Sequence, residues 1–400
     1  QSMKRMIFGL FLLLLAGCTQ VSSNYYEEDD YQKIAEANNR FAFDLHEQLV
    51  QVDQNENIFF SPISIHMALS MTANGASGDT EKQMLDVLHS DHMSIEQLNR
   101  GHASFLDLIA KKDYGVTLNI GNSLWLKEDY PFVKNFVDNV NGYYRAEVNE
   151  VDFLQEKTKG EINNWVKNKT NNKIDKIVEQ IDPSTVLYLI NAIYFKGDWD
   201  SPFNDALTYE DSFTLPDGNT KRTPFMVQDG EFNYFENNHF QAIELPYANH
   251  DASMFIFLPK EDVNLEQFYD NLSLEAWNSW KSQFAKREGT ITLPKFQMEY
   301  ETVLNDILME LGMTDAFTAS ADFTNMVDGG GVAVSEVRHK SFIEVNEQGT
   351  EATAATSVAV VELAAPVDSF TMHVNRPFFF LIEENSSQMI LFMGEVSEPQ

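Results

Sequence analysis

The stretch from Ser341 to Ala365, SFIEVNEQGTEATAATSVAVVELAA, changes character at one glycine, and that change restricts the fold more than any other feature of the chain. Up to Gly349 it reads as a paired strand, with Phe342, Ile343 and Val345 set among polar residues. Beyond Gly349 it is a run of small residues and valines without glycine or proline. Taking alternate residues puts Thr350, Ala352, Ala354, Thr356, Val358 and Val360 on one face and Glu351, Thr353, Ala355, Ser357, Ala359 and Val361 on the other. The first face is small or apolar throughout and can be buried at little cost. Alanine and threonine are nonetheless weaker strand formers than isoleucine, tyrosine or phenylalanine. A segment that can become a strand but is only weakly committed to one is a candidate switch.

The hinge residues Glu347, Gln348, Gly349, Thr350, Glu351, Ala352, Thr353, Ala354, Ala355 and Thr356 resemble the hinge and reactive loop of the serpins, the serine protease inhibitor family. Asn57–Thr80, NIFFSPISIHMALSMTANGASGDT, resembles that family's buried helix with its Ser-Pro entry, and Asn191–Trp199, NAIYFKGDW, a strand of its main sheet. Leu293-Pro294-Lys295-Phe296, Leu311–Phe317 and Asn375–Phe378 are similar to further family motifs, so the likeness runs in order from Tyr31 to Val396. It implies an α+β serpin fold: three mostly antiparallel β-sheets, eight to nine helices and an exposed reactive loop, here residues 347–366.

Length alone leaves one or two domains open for 400 residues that are 43% hydrophobic. No Pro, Gly or Ser-rich linker and no internal repeat appears, and the resemblance favours a single domain over residues 31–400. The net charge of −33 is spread along the chain. It argues against nucleic acid and glycosaminoglycan partners, which need clustered Lys and Arg. Lys167, Lys169, Lys173 and Lys176 are diluted by acids and read as a solvated face.

Near the beginning, Met3-Lys4-Arg5-Met6 is a short basic start, Ile7–Leu15 an apolar run too short to span a bilayer, and Leu15-Ala16-Gly17-Cys18 follows at once. Leu-Ala-Gly-Cys resembles the lipobox of bacterial lipoproteins. The expectation is a signal peptide over residues 1–17, lipidation at Cys18, a polar acidic tether over residues 18–30, and an address in the bacterial cell envelope, on the outer membrane, facing periplasm or exterior. An ordinary cleaved signal with an idle cysteine is the alternative. Cys18 is the single cysteine, so no disulfide can form within the chain.

Periodicity predicts helices through residues 31–112, a strand over Val116–Trp125, a helix over Glu161–Lys169 and a strand over Val186–Phe195. A hairpin follows around Pro216-Asp217-Gly218, with strands at Gln241–Leu245, Met254–Leu258 and Ile291–Met298. Helices are predicted at Leu265–Phe284 and Val303–Leu311, and closely spaced strands at Phe370–His373, Phe378–Ile382 and Met389–Phe392.

Catalytic signatures are missing from the sequence. It has no HExxH, no GxSxG elbow and no Walker loop, and its cysteine is committed elsewhere. His89 and His92 are three apart but sit in a turn-like stretch, and Gly329-Gly330-Gly331 lacks the helix and lysine of a phosphate cradle. No cofactor and no metal are expected.

The resemblance implies suicide inhibition: a protease acylates itself on the loop, and the cut loop inserts into the main sheet. Counting sixteen residues from Glu347, as the family spacing suggests, places the reactive bond at Leu363-Ala364, with the bonds Val361-Glu362 and Glu362-Leu363 as rivals. A leucine there suits chymotrypsin-like, cathepsin G-like or subtilisin-like serine proteases and some elastase-like ones. The family also implies a breach of Trp199, Lys295 and Glu347, with Lys295–Glu347 an ion pair of the uncut state, and a shutter of Ser61, Ser64, Asn191 and His339. A monomer that meets membrane only through its lipid anchor is expected. The alternatives are a non-inhibitory binding, carrier or chaperone-like serpin, an inhibitor that also acts on papain-like cysteine proteases, and a hydrolase built from residues remote in sequence.

Overall fold

The computed structural model describes residues 26–111, 116–350 and 369–400. In chain order its elements are α1 (Tyr31–Val52), β1 (Ile58–Phe60), α2 (Pro62–Ala73), α3 (Gly78–Val87), α4 (Ile95–Ile109), β2 (Val116–Lys127), α5 (Lys134–Tyr144), β3 (Glu147–Val151), α6 (Glu156–Lys169) and β4 (Leu187–Asp198). There follow β5 (Tyr209–Thr214), β6 (Thr220–Glu236), β7 (Phe240–Pro246), β8 (Ala252–Pro259), α7 (Leu265–Tyr269), α8 (Leu274–Lys281), β9 (Ala285–Pro294), β10 (Phe296–Val303) and α9 (Asn305–Glu310). The last are β11 (Arg338–Val345), β12 (Gly349–Thr350), β13 (Phe370–His373), β14 (Phe378–Glu384) and β15 (Met389–Val396). Nine α-helices among the described residues agree with the α+β expectation, and none is long and apolar enough to cross a membrane.

The strands form two hydrogen-bonded sheets rather than three separate ones. The 17-residue β6 pairs with β5 and β9 along one part and with β7 along another, which fuses two of the expected layers into a nine-stranded sheet. The six-stranded sheet runs β10-β11-β12-β4-β2-β3. Pairing is antiparallel except for β2 with β3 and β13 with β9.

Two predicted elements are divided. The strand expected over Ile291–Met298 breaks at Lys295, where β9 leaves the nine-stranded sheet and β10 enters the six-stranded one. The helix expected over Leu265–Phe284 is two, because Asn271 and Leu272 turn the chain and Ser273 caps α8 through its side chain.

Side-chain alternation on β4 explains how the six-stranded sheet is buried. Leu187, Leu189, Ile193 and Phe195 join the main core between the sheets, where Phe195 meets Phe392 edge-on at 5.6 Å. Tyr188, Ile190 and Ala192 face the other way and pack with Ile162 and Val166 of α6. Helix α2 lies on the core side and is buried along nearly its whole length, its first turn set by Pro62 and by Ser61 as N-cap. Residues 26–30, read from sequence as the end of the tether, pack on α4: the Ser104 hydroxyl donates to the Glu28 carbonyl at 2.6 Å.

Candidate functional site

The centre of the six-stranded sheet is parted. Strands β4 and β11 each pair with the two-residue β12, and among the described residues no register joins them directly. Below β12 they flank a cavity of about 510 Å³, floored by Ser64 and Ala68 of α2 and walled by Leu189 and Asn191 on one side and by Val334 and His339 on the other. β11 and β4 are both antiparallel to β12, so a strand entering this slot would be antiparallel to both neighbours.

At the top of the slot the chain reverses through Glu347-Gln348, with the Asn346 amide donating to the Gly349 carbonyl at 2.9 Å. Gly349 pairs with Asp198 and Thr350 with Gly197. A Cβ on Gly349 would stand 2.1 Å from the Gly197 carbonyl oxygen, so this close backbone approach admits only glycine. The reversal lies at Glu347-Gln348, just ahead of the glycine at which the sequence changes character.

Trp199, Lys295 and Glu347 converge here. Lys295 Nζ stands 2.8 Å from Glu347 Oε2, and the Thr208 hydroxyl donates to Oε1 at 2.7 Å. Burial pushes the Glu347 carboxyl up, but the bonds from Lys295 and Thr208 and the lysine charge outweigh it and hold the group below its ordinary value. Trp199 Nε1 donates to the Asn346 carbonyl at 3.0 Å, and its ring stacks on Tyr247 at 4.7 Å. Tyr247 is wholly buried, its phenol is pushed well up by that burial, and its hydroxyl pairs with that of Thr350 at 2.8 Å.

Lower down, the first turn of α2 grips both strands that flank the slot. The Ser61 amide donates to His339 Nε2 on β11 at 3.2 Å, and the Ser64 hydroxyl donates to the side-chain amide oxygen Oδ1 of Asn191 on β4. Asn191 in turn donates to Asn122 at 2.7 Å. Burial drives the His339 imidazole down to about 3, so it is neutral with Nε2 as acceptor. The four residues read as one polar cluster thus form two clasps on one helix, one per strand.

Tyr247, Thr208, Asn346 and Asn122 were not picked out from the sequence. Tyr247 and Thr208 sit in connections whose local pattern carries no sign of what they meet across the fold. Residues 351–368, which include the rest of the hinge and Val361, Glu362, Leu363 and Ala364, lie outside the described residues, as does Cys18. Among the described residues no three His, Cys, Asp or Glu side chains gather as metal ligands, and His89 binds Asp44 at 2.6 Å. Lys167, Lys169, Lys173 and Lys176 each pair with a carboxylate.

The family model described as Serpin (serine protease inhibitor) matches residues 36–399. The chain is a serpin. It is 36% identical to human Serpin B4 over 389 residues, covering 92% of this chain and 99% of that one. It is also 36% identical to the leukocyte elastase inhibitor of Xenopus laevis over 380 residues, covering 92% and 100%. Among solved structures, the thermophilic serpin tengpin in the native state matches with a TM-score of 0.84 at 36% identity, over 94% of this serpin and 96% of tengpin. Human thyroxine-binding globulin matches at 0.85 and 27% identity, over 93% and 100%. The relatives of this serpin thus include an elastase inhibitor and a thyroxine-binding globulin.

Proposed function

We propose that this serpin inhibits serine proteases as a suicide substrate. The protease serine Oγ attacks the Leu363 carbonyl carbon, the bond to Ala364 breaks with its amine leaving protonated, and an ester joins loop and enzyme. Insertion of the freed loop into the parted sheet then competes with hydrolysis of that ester.

The observation that supports this reading most is the register at the top of the slot. Carried on from Thr350, it would set position 352 beside Phe195 and Ile343, 354 beside Ile193 and Ser341, and 356 beside Asn191 and His339. Those β4 and β11 residues point to the core side, and Thr350, first of the series, is already buried there. Ala352, Ala354 and Thr356 are small enough to follow, with no charge or proline among them. Carried on in the same way, the register would reach Leu187, the end of β4, at Val360, and would leave Leu363 just past the slot.

The carrier alternative draws on the thyroxine-binding relative, but a carrier needs no insertable hinge. Papain-like cysteine proteases remain a second target class on the same mechanism. Residues 15–18, Leu-Ala-Gly-Cys, support an inhibitor anchored by lipid in a bacterial envelope. Incubation with elastase, chymotrypsin, cathepsin G, subtilisin, trypsin and papain tests the reading. An SDS-stable complex with a serine protease and a released peptide beginning at Ala364 are expected; clean cleavage without complex by every enzyme would overturn it.

A further inference from the structure

We infer that Tyr247 is a positioning residue for loop insertion, holding the first rung of the incoming strand in place before the loop is cut; its effect on inhibition rests on the suicide-substrate reading above. Insertion of a strand is a nucleation problem, because the first rung must be ordered before later ones can add to it. Here that rung exists already. Thr350 pairs with Val345 on one side and Gly197 on the other, and its side chain is buried.

The hydroxyl pair explains what keeps it there. Threonine is a small polar residue that solvent would hold as readily as a protein interior, unless its oxygen finds a partner inside. The Tyr247 hydroxyl is that partner at 2.8 Å, and it is itself rigidly held. Its ring is sandwiched in place by Trp199 at 4.7 Å with 12° between planes and by the edge of Phe195 at 5.0 Å, and its amide donates to the Ala252 carbonyl at 2.9 Å. The ring also lies so close to Gly197 that a Cβ there would stand 2.6 Å from it. Gly197, Trp199 and Tyr247 therefore form a socket that Thr350 completes. If the hinge withdraws, the buried Tyr247 hydroxyl loses its one described partner, so the socket favours the docked hinge from both sides of the bond.

Once a protease is acylated, the docked rung lets pairing propagate at once, whereas an undocked hinge must first find the slot while hydrolysis proceeds. Tyr247→Phe removes only the hydroxyl. The ratio of hydrolysed loop to stable complex should rise about tenfold, the factor that corresponds to roughly 1.4 kcal/mol for one hydrogen bond. Thr350→Val should raise it similarly, Thr350→Ser should restore the parent ratio, and the double variant Y247F/T350V should be no worse than either single one. A ratio unchanged or lowered in Y247F, or additive effects in the double variant, would overturn the inference. The same four variants in a thermal melt of the uncut chain test the hydroxyl pair without any protease: non-additive melting shifts are expected, and strictly additive ones would overturn it. Failure of the parent chain to form any complex would instead count against the inhibitory reading, leaving the melt to decide on Tyr247.

Discussion

Replacing Glu347 by glutamine isolates the lock at the top of the slot. The carboxylate takes a bond from Lys295 at 2.8 Å and another from Thr208 at 2.7 Å. The lysine ammonium is more than a third exposed, so solvent screens most of the bare attraction and the hydrogen bonds carry the effect. Bonds to charged groups contribute about 1.5–3 kcal/mol each, and glutamine keeps a neutral version of the Thr208 bond. E347Q should therefore destabilise the uncut chain by about 1–2 kcal/mol at pH 7, a fall of about 1–2 °C in melting temperature for a chain of this size. Glu347 titrates below its ordinary value in the folded chain, so its contribution is complete above that ordinary value and is lost as pH falls through the folded one. The parent should lose stability across that window and E347Q should lose less. Thermal melts at pH 7 and through the acid range are the assay. Identical melts and identical acid profiles for the two proteins would refute the reasoning.

Gly349→Ala should displace the hinge, since its Cβ would collide with the Gly197 carbonyl; a lower melting temperature and a larger hydrolysed fraction are expected in a protease assay. Thr356→Arg should turn inhibitor into substrate, because insertion in the register of Thr350 would carry position 356 between Asn191 and His339; gels should show cleavage without complex. Burial lowers His46 and His339 to about 3 and His66 to about 4, so the unfolded chain binds protons the folded one refuses once pH drops below about 6.5. Stability should fall steadily from there toward pH 4, and His339→Gln, which keeps an acceptor for the Ser61 amide, should flatten part of that fall in urea titrations.

Much of this site was legible in the sequence because it is written in residues whose type is their function. Gly349 is a glycine because no Cβ fits beside Gly197, and Thr350, the first of the small alternate residues after it, is buried as that pattern suggests. The Lys295–Glu347 pair came from family likeness, since 52 residues separate its members and nothing local links them. The break at Lys295 was written in the sequence but passed over: the apolar positions change phase there, from Ile291 and Leu293 to Phe296 and Met298, with Pro294 between, and the change of sheet falls at that point. Tyr247 escaped because its importance comes from what crosses the fold to meet it. The two clasps on α2 show the limit most clearly, since Ser61 and Ser64 were grouped with Asn191 and His339, but which serine holds which strand depends on the helix's rotation beneath the sheet.

On the inhibitory reading proposed above, the cut loop becomes a strand of the parted sheet. Six small side chains buried at roughly 1 kcal/mol each, together with about ten new ladder bonds at on the order of 1 kcal/mol each, make a gain on the order of 10 kcal/mol, comparable to the stability of a whole domain. Nicking the loop near Leu363 with a trace of protease and melting the chain before and after measures that gain directly. A rise of about 10 °C or more is predicted for the nicked chain, and a melting temperature that stays level or falls on nicking would contradict insertion of the loop.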